Sequence, residues 1–330
     1  MMTRTRIAGT GRALPGRELT NDELSKSVDT SDEWISARTG IRARRILEEG
    51  RSTSDLCAEA GRQACQTAEI DPKELDCIIV ATISPDMPMP AVAVTVQQKL
   101  GAGHCAAFDL SAACAGFIYA MSVADSFIKS GQFKKVLIIG VEVLSRVVDW
   151  TDRNTCVLFG DGAGAAVLTP ASAQDGERGI LSTHIFADGS GMPYLNIPAG
   201  GSLEPTSLKT VENKRHFVKM NGKSVFTNAV KNIAAASKTA LEHNGKTPED
   251  LDWVVAHQAN LRILEGVAER VNIPLSKFYL NIHKYGNTSS ASIPIALDEA
   301  AREGKVKPGD LVLMSALGAG LSWGSALVRF

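Results

Sequence analysis

Cys105-Ala-Ala-Phe-Asp-Leu-Ser-Ala-Ala-Cys-Ala-Gly-Phe-Ile-Tyr-Ala-Met121 holds a strand, a turn of small residues and the start of a helix within seventeen positions. Ala106 to Leu110 reads as a short buried strand. From Ala115 to Ser130, Phe117, Ala120, Met121, Ala124, Phe127 and Ile128 recur at helical spacing, and Gly131 is a natural stop. Cys114 therefore falls where a strand hands over to a helix, and Ser111, Ala112, Ala113, Ala115 and Gly116 leave its sulfur room for a substrate. Unpaired N–H groups and the positive end of the dipole favour a thiolate there, which predicts a lowered thiol pKa. Most buried cysteines are only structural. The turn position and the small flanks point instead to a nucleophile.

Upstream, Ile7 to Thr10 reads as a first strand, and Thr20-Asn-Asp-Glu23 as a capping box opening a short helix. Thr30-Ser-Asp-Glu-Trp-Ile-Ser-Ala-Arg-Thr-Gly-Ile41 puts Trp34 and Arg38 on one helical face, where they can stack on and pair with a nucleotide; a Trp packed into its own domain is the alternative. Ser54 to Ala68 is an amphipathic helix, Cys77 to Thr82 a strand buried on both faces, and Ser84 to Pro90 a stiff loop with three prolines. Downstream, Val136 to Val141 is another buried strand. Phe159 to Leu168 packs three glycines into a turn before a strand; without a Lys-Ser/Thr or a following helix, it indicates close backbone packing rather than a phosphate cradle.

The two halves echo each other. Asp71-Pro-Lys-Glu-Leu-Asp-Cys77 matches Thr247-Pro-Glu-Asp-Leu-Asp-Trp253, each leading into a strand. Leu75 lies 39 residues before Cys114 and Leu251 lies 36 before Asn287, and each half ends in a glycine turn and a strand. Strands alternating with helices imply βαβ units, so the expected fold is a duplicated α/β chain. The halves are expected at 1–175 and 216–330, joined by a Gly-, Pro- and Ser-rich insertion or linker at 176–215. Such a duplication would set Cys114 and Asn287 at equivalent places across a pseudo-twofold.

His257 ends a buried strand in Val254-Val-Ala-His-Gln-Ala-Asn260, where α/β sheets present ligand-binding groups. Asn287 opens the small-residue turn Asn287-Thr-Ser-Ser290, which a plain turn residue could also do. A Cys, a His and an Asn converging on one pocket supply a nucleophile and two donors for an oxyanion. Donors without a second carboxylate suit acyl transfer from a thioester better than hydrolysis.

Composition sets the limits. Of 330 residues 44% are apolar and 22% charged, as in ordinary globular proteins, and a net charge of −1 argues against nucleic acid or anionic membrane as partner. Six cysteines without a CxxC pair do not suggest a disulfide scaffold, and no His has metal-ligand spacing to a Cys or carboxylate. With no leader pattern and no apolar run of bilayer length, a cytoplasmic protein is expected.

At these residues the chain resembles the β-ketoacyl-acyl carrier protein synthase III family, over nearly its whole length. The motifs are Thr30 to Ile41, Ala-Ala-Cys-Ala-Gly around Cys114, Thr151-Asp-Arg153, Gly160-Asp-Gly-Ala-Gly164, His257-Gln-Ala-Asn-Leu-Arg262, Gly286-Asn-Thr-Ser289 and Trp323-Gly-Ser-Ala326. The resemblance implies the thiolase fold, five αβαβα layers, in a homodimer that needs no metal or redox cofactor. It implies that Cys114 takes an acyl group from acyl-coenzyme A. Malonyl-acyl carrier protein then loses CO₂ and its carbanion attacks the acyl-cysteine, with His257 and Asn287 stabilising the enolate. The backbone N–H groups of Cys114 and Ala319 would form the oxyanion hole. Trp34 and Arg153 would sandwich the adenine, Arg38 would lie near the phosphates, and Gly222 and Asn260 would hold the pantetheine arm. Arg262, with Lys223 and Arg270, would meet the acidic carrier protein.

Four positions depart from the family pattern. Ala319 replaces a frequent Gly but keeps its N–H, and Tyr285 stands where His is frequent. Glu269 and Thr227 occupy frequent lysine positions, and Met89 stands where a Phe often reaches into the partner's acyl pocket. A flexible Met there would admit longer or branched primers. The rival readings are a same-fold synthase priming polyketide, quinolone or ketone formation, a Cys-His-Asn acyl hydrolase, and a non-enzymatic binding protein. A hydroxymethylglutaryl-type synthase would need a general acid at the cysteine, and Asp109 is the only carboxylate close by in sequence.

Overall fold

A computed structural model describes residues 4–330. One sheet orders its strands Thr5–Ala13, Asp161–Pro170, Val136–Val143, Cys77–Ala81 and Ala106–Leu110; the last three run parallel and the first two pair antiparallel. The other orders Gly179–Ala187, Ser322–Arg329, Leu311–Gly318 and Trp253–Ala256 with the same alternation of senses. A single parallel bridge from Val254 to Phe278 stands where the fifth strand would be. The halves are thus one topology used twice.

The stretch 176–215 is not a linker throughout. Its residues Gly179–Ala187 form the edge strand of the second sheet, in register with Ser322–Arg329. Glycine, serine and charged residues on either side mask this strand, which itself holds no Asp, Glu, Lys or Arg. Beyond it come a 3₁₀ turn at Gly189–Tyr194, the short strand Leu195–Asn196 and the helix Leu208–Glu212.

Five layers result. Helices Gly116–Lys129 and Ser292–Arg302 lie between the sheets, where Phe117, Met121, Ile293 and Leu297 pack against Ile79, Ile138, Val255 and Met314. Phe117 and Met121 have no exposed surface, and burial at that level contributes ~1.5–3 kcal/mol per side chain. Thr53–Thr67 and Val92–Leu100 cover the outer face of the first sheet, and Gly222–His243 and Leu261–Val271 that of the second. With both faces covered, Val136–Val143 is buried along its entire length, which is why Val136 to Val141 reads as an apolar run.

Ala106–Leu110 differs from expectation. It is the outermost strand and half-exposed, because nothing among the described residues pairs with its free edge. The glycine set does serve close packing: a Cβ on Gly164 would lie 2.6 Å from the Ile295 amide nitrogen, and one on Gly160 would overlap the Tyr285 carbonyl oxygen.

Candidate active site

Two turns meet where the halves join. Ala113–Ala115 precedes the helix Gly116–Lys129, and Ser289–Ala291 precedes the helix Ser292–Arg302. Each opens on a residue with positive φ, Ala113 at 46° and Ser289 at 50°. Matched turn for turn, the counterpart of Cys114 is Ser290, three residues beyond Asn287, so the expected Cys114–Asn287 equivalence is off by that register. Leu321, in the turn containing Ala319, is a third strained residue, with φ 47°. Strain of this kind costs about 1–3 kcal/mol each and persists where packing dictates the backbone.

Cys114, His257 and Asn287 all line one cavity of about 140 Å³, together with Gly318 and Ala319. All three catalytic candidates are buried. His257 follows the strand Trp253–Ala256, and its amide donates to the Ser315 carbonyl at 2.9 Å. Gln258 holds that loop, donating to the carbonyls of Ala256 and Tyr279 at 2.9 and 3.1 Å. Asn287 accepts the Ser289 amide on Oδ1 at 2.9 Å, which leaves its Nδ2 as the donor. Its backbone bonds into the other half, donating to the Leu158 carbonyl at 2.8 Å and accepting from the Gly160 amide at 3.0 Å.

The electrostatics overturn one expectation. Burial pushes the Cys114 thiol up to about 12; the Ser289 hydroxyl opposes this and the Glu142 carboxylate adds to it. A helix N-terminus supplies ~0.3–2 kcal/mol. The rise from 9.0 to about 12 corresponds to about 4 kcal/mol, so desolvation wins and the resting sulfur is a thiol. His257 moves the other way, down to about 4 through burial, and is neutral at pH 7 with Nδ1 buried and unpartnered.

Cys114 also borders a second cavity of about 270 Å³, walled mainly by Ile83, Leu144, Phe159, Leu195, Ile197 and Val218. These side chains come from separate segments, and no local pattern announces them. Outside lies a cleft of about 1050 Å³ lined by Trp34, Arg38, Arg153, Lys223 and Arg262, with no carboxylate among its lining residues. Leu158, Met220, Gly222, Phe226 and Asn260 line both this cleft and the inner cavity, so the two are continuous. The guanidinium carbons of Arg38 and Arg153 lie 4.6 and 4.8 Å from the Trp34 ring centre. Asn260 caps the helix Leu261–Val271, and Arg262 donates to the Ala37 carbonyl at 3.0 Å.

Two expected residues lie elsewhere. Arg270 is exposed near the far end of that helix and does not line the cleft. Met89 is 83% exposed and lines neither cavity of its own chain. Asp109 accepts the Val92 and Ala93 amides at 2.7 and 2.8 Å, so it caps a helix. Among the described residues no three His, Cys, Asp or Glu side chains gather as metal ligands, and no helix is long and apolar enough to cross a membrane.

A duplicated αβαβα scaffold with its ligand groups at the junction is the thiolase fold, and comparison with known proteins identifies the branch. Residues 108–189 match the model of 3-oxoacyl-[acyl-carrier-protein] synthase III, and 241–330 that of its C-terminal part. The β-ketoacyl-[acyl-carrier-protein] synthase III of Caldanaerobacter subterraneus is 50% identical, over 98% of this chain and 97% of that protein. The crystal structure of the Aquifex aeolicus 3-oxoacyl-[acyl-carrier-protein] synthase III superposes with a TM-score of 0.91 at 48% identity, covering 99% and 100% of the two chains. The priming β-ketosynthase of the R1128 polyketide pathway gives 0.90 at 38%, covering 99% and 97%. The chain belongs to the β-ketoacyl-acyl carrier protein synthase III family. It is an acyltransferase, the condensing enzyme that initiates fatty acid synthesis.

Proposed function

We propose that Cys114 carries the acyl group and that His257 and Asn287 serve the decarboxylation of malonyl-acyl carrier protein. One observation carries this reading: a continuous path from a cationic cleft to a cavity that Cys114, His257 and Asn287 line together. An acyl-coenzyme A enters with its phosphates near Arg38 and its adenine between Trp34 and Arg153. The pantetheine passes Gly222 and Asn260, and the acyl chain points into the apolar cavity beyond the sulfur. The sulfur adds to the thioester carbonyl, whose oxygen is met by the N–H groups of Cys114 and Ala319; coenzyme A leaves.

The malonyl group then enters by the same path. Loss of CO₂ builds negative charge on the thioester oxygen, where a neutral imidazole N–H and the Asn287 amide donate hydrogen bonds. The enolate attacks the acyl-cysteine and releases 3-oxoacyl-carrier protein. Arg262 and Lys223 at the rim fit an acidic carrier protein, and Arg270 extends that surface. The reaction so assigned uses only groups of this chain and its two thioesters, with no added cofactor, and fits a cytoplasmic enzyme. The open edge Ala106–Leu110 suits pairing with a second copy of the chain, which would bring the exposed Met89 toward the partner's acyl cavity.

The 38% identical polyketide-priming synthase and the apolar cavity behind Cys114 favour a second reading, in which the primer exceeds acetyl. Acylating the enzyme with acyl-coenzyme A esters from two to about eight carbons tests it. Labelling by the acetyl ester alone rules it out. Turnover of the acyl-enzyme with malonyl-carrier protein rather than water tests the main reading.

A further inference from the structure

Arg44, in the short strand Ala43–Ile46, has no exposed surface. Its Nη2 donates to Asn21 Oδ1 and to the Val157 carbonyl, each at 2.8 Å, and its Nη1 donates to the Leu19 carbonyl at 3.2 Å. All three acceptors are uncharged, and Nε is buried without a partner. Burial lowers the guanidinium only to about 10, so it remains a cation at pH 7. A position that served packing alone would take an apolar side chain at lower cost.

Each side of the fork leads to a different part of the site. Asn21 extends one of them: its Nδ2 donates to Asp32 Oδ1 at 2.8 Å and to the Ile41 carbonyl at 2.7 Å. Asp32 opens the helix Asp32–Thr39, and Ile41 follows its left-handed cap Gly40. One amide thus holds both ends of the helix that carries Trp34 and Arg38.

The Val157 bond leads to the other part. Leu158 and Gly160, next along the chain, make the two backbone bonds to Asn287. Leu158 and Phe159 also line the inner cavity. A Cβ built on Gly160 or on Gly286, the residue before Asn287, would lie 3.0 or 3.3 Å from the Arg44 Cβ. The side chain therefore leaves the backbone against the seam and ends in the strip that fixes it.

We infer that Arg44 is a positioning residue shared by both substrate steps, setting the coenzyme A helix and the Asn287 strip against each other through one fork of donors. It lines neither cavity nor the cleft, so it acts only through the residues it holds. A lysine cannot replace it, because a single ammonium does not span acceptors on two sides as a planar guanidinium does. This assignment rests on Trp34 and Arg38 holding acyl-coenzyme A and on Asn287 serving decarboxylation.

The test measures two quantities in variants shown by circular dichroism to be folded. One is the acyl-coenzyme A concentration that half-saturates acylation of Cys114, and the other is the rate of CO₂ release from malonyl-carrier protein. Arg44→Lys should raise the first and lower the second, each roughly 10-fold. Asn21→Ala cuts only the helix side, so it should raise the first by a similar factor and leave CO₂ release within about twofold of wild type. Should Arg44→Lys not fold, Arg44→Met carries the same two readouts. Either quantity within about twofold of wild type in the Arg44 variant overturns the proposal, as does Asn21→Ala slowing CO₂ release as much as that variant does. Asn287→Ala and Trp34→Ala, run alongside, keep the two failures apart. If Asn287→Ala does not slow CO₂ release, or Trp34→Ala does not weaken acyl-coenzyme A, the underlying reading of the site is what fails.

Discussion

The Asn287 carbonyl, from the second half of the chain, accepts the Gly160 amide of the first half at 3.0 Å. This bond spans the seam between the repeats and sets Asn287 over the cavity that holds Cys114. It also explains why the glycine run is needed, since any side chain at 160 would overlap the Tyr285 carbonyl.

Gly160→Ala should therefore act on the distant asparagine. The backbone at 160 is not left-handed, so the expected cost is overpacking, about 1–3 kcal/mol. Malonyl decarboxylation should fall more than Cys114 acylation. Thermal melting and the two half-reactions, assayed separately, check this.

His257→Ala and Asn287→Ala should each lower decarboxylation by roughly 10²- to 10³-fold, the usual loss for one oxyanion donor. Both variants should still accept an acyl group on Cys114. Isotope release from carboxyl-labelled malonyl-carrier protein measures the first effect and intact mass the second.

The neutral, buried His257 makes folding sensitive to acid. Its folded pKa is about 4 against 6.5 unfolded, so the unfolded chain binds the extra proton between those values. The His257 contribution to stability is complete above pH 6.5 and falls away toward pH 4, by up to about 3 kcal/mol. Denaturant unfolding at several pH values should show that slope in the wild type. His257→Gln should flatten it by the same amount.

Trp34→Ala should raise KM for acyl-coenzyme A by roughly 5- to 30-fold, as loss of ~1–2 kcal/mol of stacking and cation–π contact would give. It should leave kcat with bound thioester nearly unchanged. Lys223→Glu should instead weaken the carrier-protein step, and the loss should shrink as salt rises. Steady-state kinetics with each thioester varied in turn separate the two.

Much of this was legible in the chain because the decisive signals are local. Cys114 and His257 each follow a strand, Asn287 opens a turn of small residues, and residue order alone displays such punctuation. The lowered thiol pKa was not found because a dipole argument sees only neighbours along the backbone, whereas Cys114 is buried by segments remote in sequence, among them Leu311–Gly318 and Ser289–Ala291. Gly179–Ala187 was missed because its partner, Ser322–Arg329, is remote in sequence and glycine, serine and charged residues flank it. The acyl cavity escaped for the same reason.

The most direct measurement is intact-protein mass after exposure to a panel of acyl-coenzyme A esters, followed by malonyl-acyl carrier protein. The account requires one acyl adduct per chain, absent in Cys114→Ala and discharged as 3-oxoacyl-carrier protein on adding the second substrate. An adduct that persists in Cys114→Ala, or one that water removes as fast as malonyl-carrier protein does, contradicts it.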